Sequence, residues 1–138
     1  MKEDEIIKNP RVIVIQKLYS YYLNKDSELT FPKNRYKKFI KDVVNGTIER
    51  KELIQDFIDK DLKENINVNK TELILKLMIM AAIYEFMFMH KTPIKVVINE
   101  YLKVSDFFVE DSQKSFLNAI LDKISKLSRV NKEWIKID

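Results

Sequence analysis

The chain has 138 residues, of which 46% are hydrophobic and 33% charged, and its formal net charge is +4. This length fits one domain, and the balance is typical of a folded protein rather than a disordered one. The absence of cysteine excludes disulfides and thiolate metal sites and fits a reducing compartment. Because the N-terminus lacks the basic-then-apolar layout of a signal peptide, we expect one cytoplasmic domain over residues 1–138.

Glycine and proline are rare in this chain. One glycine and three prolines argue against a β fold with many turns, and each falls where a helix is expected to start or stop. Pro10 opens the first predicted helix, and Pro32 opens the second, which ends at Gly46. Thr47 then caps the third helix, and Pro93 opens the fifth.

The fourth predicted helix is the most apolar segment. Residues 73–89 contain only two charged side chains, Lys76 and Glu85. As a helix these residues reach about 25 Å, against a hydrocarbon core of roughly 30 Å. We therefore expect a buried central helix rather than a membrane span, with Asn69 and Glu72 forming a capping box in front of it.

The last predicted helix begins at Asp111 or Ser112 and is followed by a polar tail. We expect residues 128–138 to be loosely ordered. The pattern thus predicts an all-α fold of six helices, and the short connections favour compact packing in one or two small bundles.

Side chains for catalysis are scarce. The chain has one histidine, His90, and no cysteine, and its single glycine rules out a glycine-rich phosphate loop. Carboxylates of the third predicted helix alternate with Lys51, Lys60 and Lys63, which is typical of a salt-bridged surface. We predict no catalytic residues, no metal site and no cofactor.

Basic residues crowd the second predicted helix. Residues 25–41 carry six basic and two acidic side chains. Basic side chains attract phosphate, and aromatic faces stack on unpaired bases. An equally good interpretation is that the lysines only keep the surface soluble. The basic residues of this predicted helix are Lys33, Arg35, Lys37, Lys38 and Lys41, and Tyr36 lies among them.

Five blocks of the sequence follow known motifs. Residues 92–100, TPIKVVINE, resemble P-x-K-V-x-I-N-E, and residues 116–123, FLNAILDK, resemble F-V-N-G-V-L-D-K. Residues 11–19 are similar to R-x-x-A-V-Q-x-L-Y, residues 39–46 to F-x-x-x-L-V-x-G, and residues 82–85 to A-x-Y-E. These blocks, in the same order along the chain, resemble the family of the transcription antitermination factor NusB.

The resemblance implies an all-α fold of six to seven helices in two small perpendicular subdomains. It also implies binding of the boxA element of nascent RNA together with the ribosomal protein NusE. The pair then joins an antitermination complex on RNA polymerase, notably at ribosomal RNA operons. No enzymatic step and no cofactor are implied.

By position, the resemblance supplies candidate site residues. Those for RNA contact are Lys2, Lys8, Arg11, Lys114 and Phe116. Those for the protein partner are Tyr19, Glu72, Leu75, Lys76 and Tyr84. For Phe116 and Tyr84, each on a largely apolar helix face, a place in the core is the alternative.

The chain departs from the family pattern at both predicted surfaces. Acidic residues at positions 3–5 oppose phosphate attraction by the N-terminal arm, where the family is arginine-rich. Leu75 and Met80 stand where the family has glutamate and arginine, so each is either repacked into the core or exposed for a partner. These departures motivate a second hypothesis, a helical protein-interaction module that has lost strong RNA binding. A domain resembling the one that precedes some RNA methyltransferases and a small helical enzyme are further alternatives.

Overall fold

The computed structural model describes residues 9–62 and 68–130, and within them the chain forms six α-helices and no strand. A short 3-10 helix, Val68–Lys70, precedes α4. The predicted all-α fold is therefore confirmed. The helices are α1 (Pro10–Leu23), α2 (Lys37–Glu49), α3 (Lys51–Asp61), α4 (Leu73–Phe88), α5 (Ile94–Phe108) and α6 (Asp111–Val130).

The proline-marked helix start at Pro10 is confirmed, and the one predicted at Pro93 is off by one residue. Pro10 is the first residue of α1, where its missing N–H leaves no hydrogen bond unmade. The Asn9 side chain accepts hydrogen bonds from the backbone N–H groups of Arg11 and Val12, at 3.0 and 3.3 Å. Pro93 immediately precedes α5 in an extended conformation.

Other predicted boundaries are wrong. The second helix begins at Lys37 rather than at Pro32, because Asn34 first forms a turn whose side chain accepts from the Tyr36 N–H at 2.8 Å. The Asn69–Glu72 capping box does not form, since the Asn69 amide bonds to Asp59 and Gln55 instead. At the other end of the chain, α6 continues through residue 130 with Ser128 buried, so the loosely ordered tail does not begin at residue 128.

Gly46 does not end a helix. It lies inside α2, which continues to Glu49, and its φ is not positive. The ring of Tyr84 on α4 occupies the space where a side chain at this position would stand. Tyr84 also donates a hydrogen bond of 2.8 Å to the Asp42 carboxylate on α2. The glycine therefore permits close approach of α2 and α4.

Helix α4 is the centre of the fold. It contacts all five other helices, with α1, α2 and α3 forming one group and α5 and α6 the other. Its residues are buried around the whole circumference, as the sequence predicts. Both groups of helices therefore pack on this one helix.

The close approach at Gly46 gives the first prediction. Gly46→Ala forces the Tyr84 ring to move, and we expect the free energy of unfolding to fall by about 1–3 kcal/mol, the usual cost of overpacking. In a Tyr84→Ala background the same change should instead stabilise by about 0.5–1 kcal/mol, because alanine favours a helix interior over glycine. Urea unfolding of the four variants measures both values. A stabilising Gly46→Ala change in the wild-type background would contradict the packing.

Candidate functional site

A buried ion pair joins α1 to α4. The Arg11 guanidinium donates from Nη2 to Glu85 Oε1 at 2.7 Å and from Nε to Oε2 at 3.0 Å. The Tyr101 hydroxyl on α5 donates to the same carboxylate, and Glu100 Oε1 lies 3.8 Å from Arg11 Nη1. The Phe39 ring covers the guanidinium at 4.8 Å. Arg11 is only 7% exposed and Glu85 is fully buried, so both charges are neutralised inside the protein.

The electrostatics of this network hold each group in one protonation state. Burial by itself lowers the pKa of Arg11, but the hydrogen bonds and charge of Glu85 outweigh it and leave that pKa above its ordinary value. Burial, and then the charge of Glu85, raises the pKa of the Tyr101 hydroxyl well above its ordinary value. Arg11 thus stays charged while Tyr101 remains a donor. This placement does not support the predicted RNA contact of Arg11, because the guanidinium faces carboxylates rather than solvent.

An apolar groove opens between the C-terminal half of α1, the start of α4 and the end of α5. Its volume is about 530 Å³. Tyr19 and Leu23 are 38% and 64% exposed there, although helical spacing places Leu23 on the apolar stripe of α1. The groove brings together two of the predicted partner residues, Tyr19 and Glu72. We call this surface the apolar groove; it is lined by Gln16, Tyr19, Ser20, Leu23, Glu72, Leu73, Ile74 and Phe108.

An acidic depression of about 580 Å³ adjoins the apolar groove and shares Glu72 and Phe108 with it. Asp106 and Glu110 add two further carboxylates to its lining. Lys114 Nζ lies 2.7 Å from Asp106 Oδ1, which places one predicted RNA-contact residue at this edge. We call this surface the acidic rim.

The other predicted site residues lie elsewhere. Leu75 is 2% exposed, so the structure agrees with repacking into the core and does not support a partner contact. Lys76 lines a separate cavity of about 280 Å³ between α1, α3 and α4. Tyr84 is 7% exposed on the side of α4 that faces α2, and burial, followed by its bond to Asp42, raises its pKa well above the ordinary value. Phe116 is half-buried against the core.

Two predicted residues, Lys2 and Lys8, lie outside the described residues. The sequence does not mark Leu23 and Phe108 as groove residues. An apolar residue at helical spacing gives the same sequence pattern whether its side chain is buried or exposed. Only the position of the neighbouring helices decides between these cases.

These observations first define the class of protein. It is an all-helical protein with two helix groups on one central helix and an exposed apolar groove bordered by carboxylates. Among residues 9–62 and 68–130, no three metal-binding side chains come together. None of the helices in the same part of the chain is long and apolar enough to cross a membrane.

The family follows from comparison with known proteins. Residues 8–126 match the model of the NusB family, and the chain belongs to that family. The protein named transcription antitermination protein NusB in Bradyrhizobium diazoefficiens is 31% identical over 91 residues, which is 66% of this chain and 55% of that relative. The protein of the same name in Rickettsia massiliae is 28% identical over 117 residues, which is 82% of this chain and 75% of that relative.

The fold is also found in a solved structure. NusB of T. maritima superposes with a TM-score of 0.77, covering 94% of this chain and 96% of that one. Its sequence identity is 22%, so this likeness shows the fold alone.

The buried ion pair gives the second prediction. Arg11→Met leaves Glu85 buried without a countercharge and should lower the free energy of unfolding by about 3–5 kcal/mol. The triple variant Arg11→Met, Glu85→Leu, Tyr101→Phe should regain most of that loss, because no buried charge or hydroxyl remains unpaired. Denaturant unfolding measures both effects.

The control is the exposed pair of Lys60 and Asp56, whose side chains are 73% and 56% exposed. Lys60→Met should cost about 0–1 kcal/mol. Equal effects of Arg11→Met and Lys60→Met would show that the Arg11 pair does not stabilise the fold.

Proposed function

We propose that this protein is a transcription antitermination factor that binds a boxA-type segment of nascent RNA together with the ribosomal protein NusE. The pair then joins an antitermination complex on RNA polymerase in the cytoplasm. Membership of the NusB family supports this function, and the observation that carries it is the apolar groove with its acidic rim. The protein acts by holding partners together, without a chemical step.

The apolar groove has the features of a protein-docking surface. Exposed aromatic and aliphatic side chains at its centre, bordered by polar ones, match the arrangement of a binding hot spot with a polar rim. Tyr19 contributes a large, stiff surface, and Leu23 loses its solvent exposure when covered. The occupant is NusE, which would bury an apolar segment against these two residues.

The acidic rim adds charge complementarity. Glu72, Asp106 and Glu110 present carboxylates beside the groove. A partner with basic side chains flanking an apolar segment fits this pattern, and complementary charges speed association and set the orientation of binding. Glu72 belongs to both surfaces, so it borders the apolar contact and faces the basic side chains.

RNA contact is assigned to the edge next to this partner surface. Lys114 lies there, and Lys2 and Lys8 of the N-terminal arm are the other candidates, with Phe116 available for stacking through its exposed part. Arg11 is not included among these RNA contacts, because its guanidinium bonds to Glu85 and holds α1 in position. Since Lys114 already pairs with Asp106, an RNA phosphate must compete with that carboxylate.

The second candidate function is a NusB-like interaction module without strong RNA binding. Two observations favour it: the Arg11 charge is used internally, and Lys114 is engaged at 2.7 Å by Asp106. Both functions require the apolar groove, and they differ only in RNA affinity.

The partner surface can be tested with Tyr19→Ala. We expect NusE affinity to fall by about 10- to 30-fold, because truncating a central interface tyrosine typically costs around 2 kcal/mol. Thermal stability should not change, since Tyr19 is 38% exposed. Isothermal titration calorimetry with purified NusE measures the affinity.

The matched control is Leu127→Ser, which removes a 37% exposed apolar side chain from α6, outside the apolar groove. It should leave NusE affinity unchanged. Wild-type affinity in Tyr19→Ala, or equal losses in both variants, would argue against the groove as the partner site.

RNA binding is tested by titrating a short single-stranded boxA-type RNA across salt concentrations, with and without NusE. Contacts from about three lysines predict a log–log slope of about −2 for the isolated protein, and therefore weak binding. Adding NusE should raise the affinity strongly, because the pair presents a larger surface. If the pair with NusE forms but shows no RNA binding, the interaction-module function is correct instead.

A further inference from the structure

A second groove, of about 770 Å³, is formed by α2, by Arg50 between α2 and α3, and by Tyr84 of α4. Four basic and two acidic side chains line it. We call this surface the basic groove. Its charged residues are Lys37, Lys38, Lys41, Arg50, Asp42 and Glu49.

Three lysines give the basic groove its character. Lys37, Lys38 and Lys41 are all exposed on α2. Lys37 and Lys41 are one helical turn apart, so their side chains are neighbours on the surface. Within the described residues none of the three forms an ion pair, whereas Lys60, Lys103, Lys114 and Lys126 each pair with a carboxylate.

The acidic side chains of the groove offset only part of this charge, since Asp42 and Glu49 oppose four basic side chains. Asp42 accepts a hydrogen bond from Tyr84, which holds it against α4. Arg50 lies over the Phe88 ring, with 4.1 Å between its guanidinium carbon and the ring centroid. The lysines therefore face solvent as a concentrated positive patch, which attracts a polyanion.

Aromatic side chains stand beside the lysines. Tyr36, directly before α2, is 39% exposed, and the Arg35 guanidinium lies 5.1 Å from its ring centroid. Lys41 Nζ lies 5.9 Å from the Phe31 ring centroid. Basic groups that track phosphates, together with aromatic rings on which bases stack, are the features of a single-strand binding groove.

We propose that the basic groove binds single-stranded RNA that flanks the boxA-type element, through phosphate contacts from Lys37, Lys38 and Lys41. This inference rests on the proposed RNA-binding function and adds a second contact surface to it. Ile74 of the apolar groove and Tyr84 of the basic groove are ten residues apart on α4, which is about 15 Å along the helix. NusE and flanking RNA can therefore be bound at the same time.

The test compares the wild type with the triple variant Lys37→Gln, Lys38→Gln, Lys41→Gln. The probes are a short boxA-type RNA and the same RNA extended by unstructured flanks, each titrated in the presence of NusE by fluorescence anisotropy. The flanks should steepen the wild-type log–log salt slope by about 2, since each phosphate contact contributes about 0.7 for a single strand. The triple variant should lose this extra slope and bind the short RNA as the wild type does.

The difference in salt slope can also be measured as the ratio of wild-type to triple-variant affinity at two salt concentrations that differ fourfold. A slope difference of about 2 means that the advantage of wild type over triple variant on the long RNA shrinks by about 16-fold between 50 and 200 mM salt. The control variant Lys60→Gln, Lys70→Gln, Lys126→Gln removes the same charge from exposed positions outside the groove and should keep the wild-type slope.

The outcomes separate the two proposals. Binding of both RNAs by the wild type with an identical slope in the triple variant would overturn the basic groove as an RNA surface and leave the proposed function standing. Equal slope losses in the triple and control variants would overturn it too, since net charge alone would explain them. No binding of either RNA by the wild type would overturn both proposals.

Discussion

The buried pair of Arg11 and Glu85 is the interaction on which the rest of the structure depends. It joins α1 to the centre of α4, and the hydroxyl of Tyr101 adds α5 to the same carboxylate. A charge in this apolar interior is tolerated only with its partner in place, so the three helices have one arrangement that satisfies both groups. Three of the blocks that resemble the NusB family, those containing Arg11, Glu85 and Glu100, meet here. At Arg11, Glu85 and Glu100 the resemblance therefore marks the centre of the fold rather than a binding surface.

The contact of Gly46 with Tyr84 is a second constraint on α4, and it acts on α2. The absent side chain lets α2 approach α4, and the bond from Tyr84 to Asp42 fixes their register. The exposed lysines of α2 and Tyr84 of α4 consequently line one groove. The only glycine of the chain thus shapes a surface, although its own role is internal packing.

The two surfaces proposed to bind partners lie at different positions along the central helix α4. The start of α4 contributes to the apolar groove, and its second half contributes to the basic groove. The Gly46–Tyr84 contact lies in the basic groove and the Arg11–Glu85 pair lies next to it on α4, so packed contacts fix the helix backbones around this surface. Preorganised surfaces of this kind bind with less loss of conformational freedom.

The sequence by itself determined the all-α class and the buried central helix, because helical periodicity and rare glycine depend only on local pattern. The family was indicated separately, by the resemblance of five blocks of the sequence. The resemblance also proposed Tyr19 and Glu72 as partner residues, and the structure places these two in one groove. Tertiary structure alone decided that Arg11 is internal, that Leu75 is core and that Leu23 is exposed. The physical reason is that an arginine bonds equally well to a phosphate or to a buried carboxylate, and an apolar residue at helical spacing suits a core or an interface. Only the positions of neighbouring helices, set by residues as distant in sequence as Arg11 and Glu85, choose between these environments.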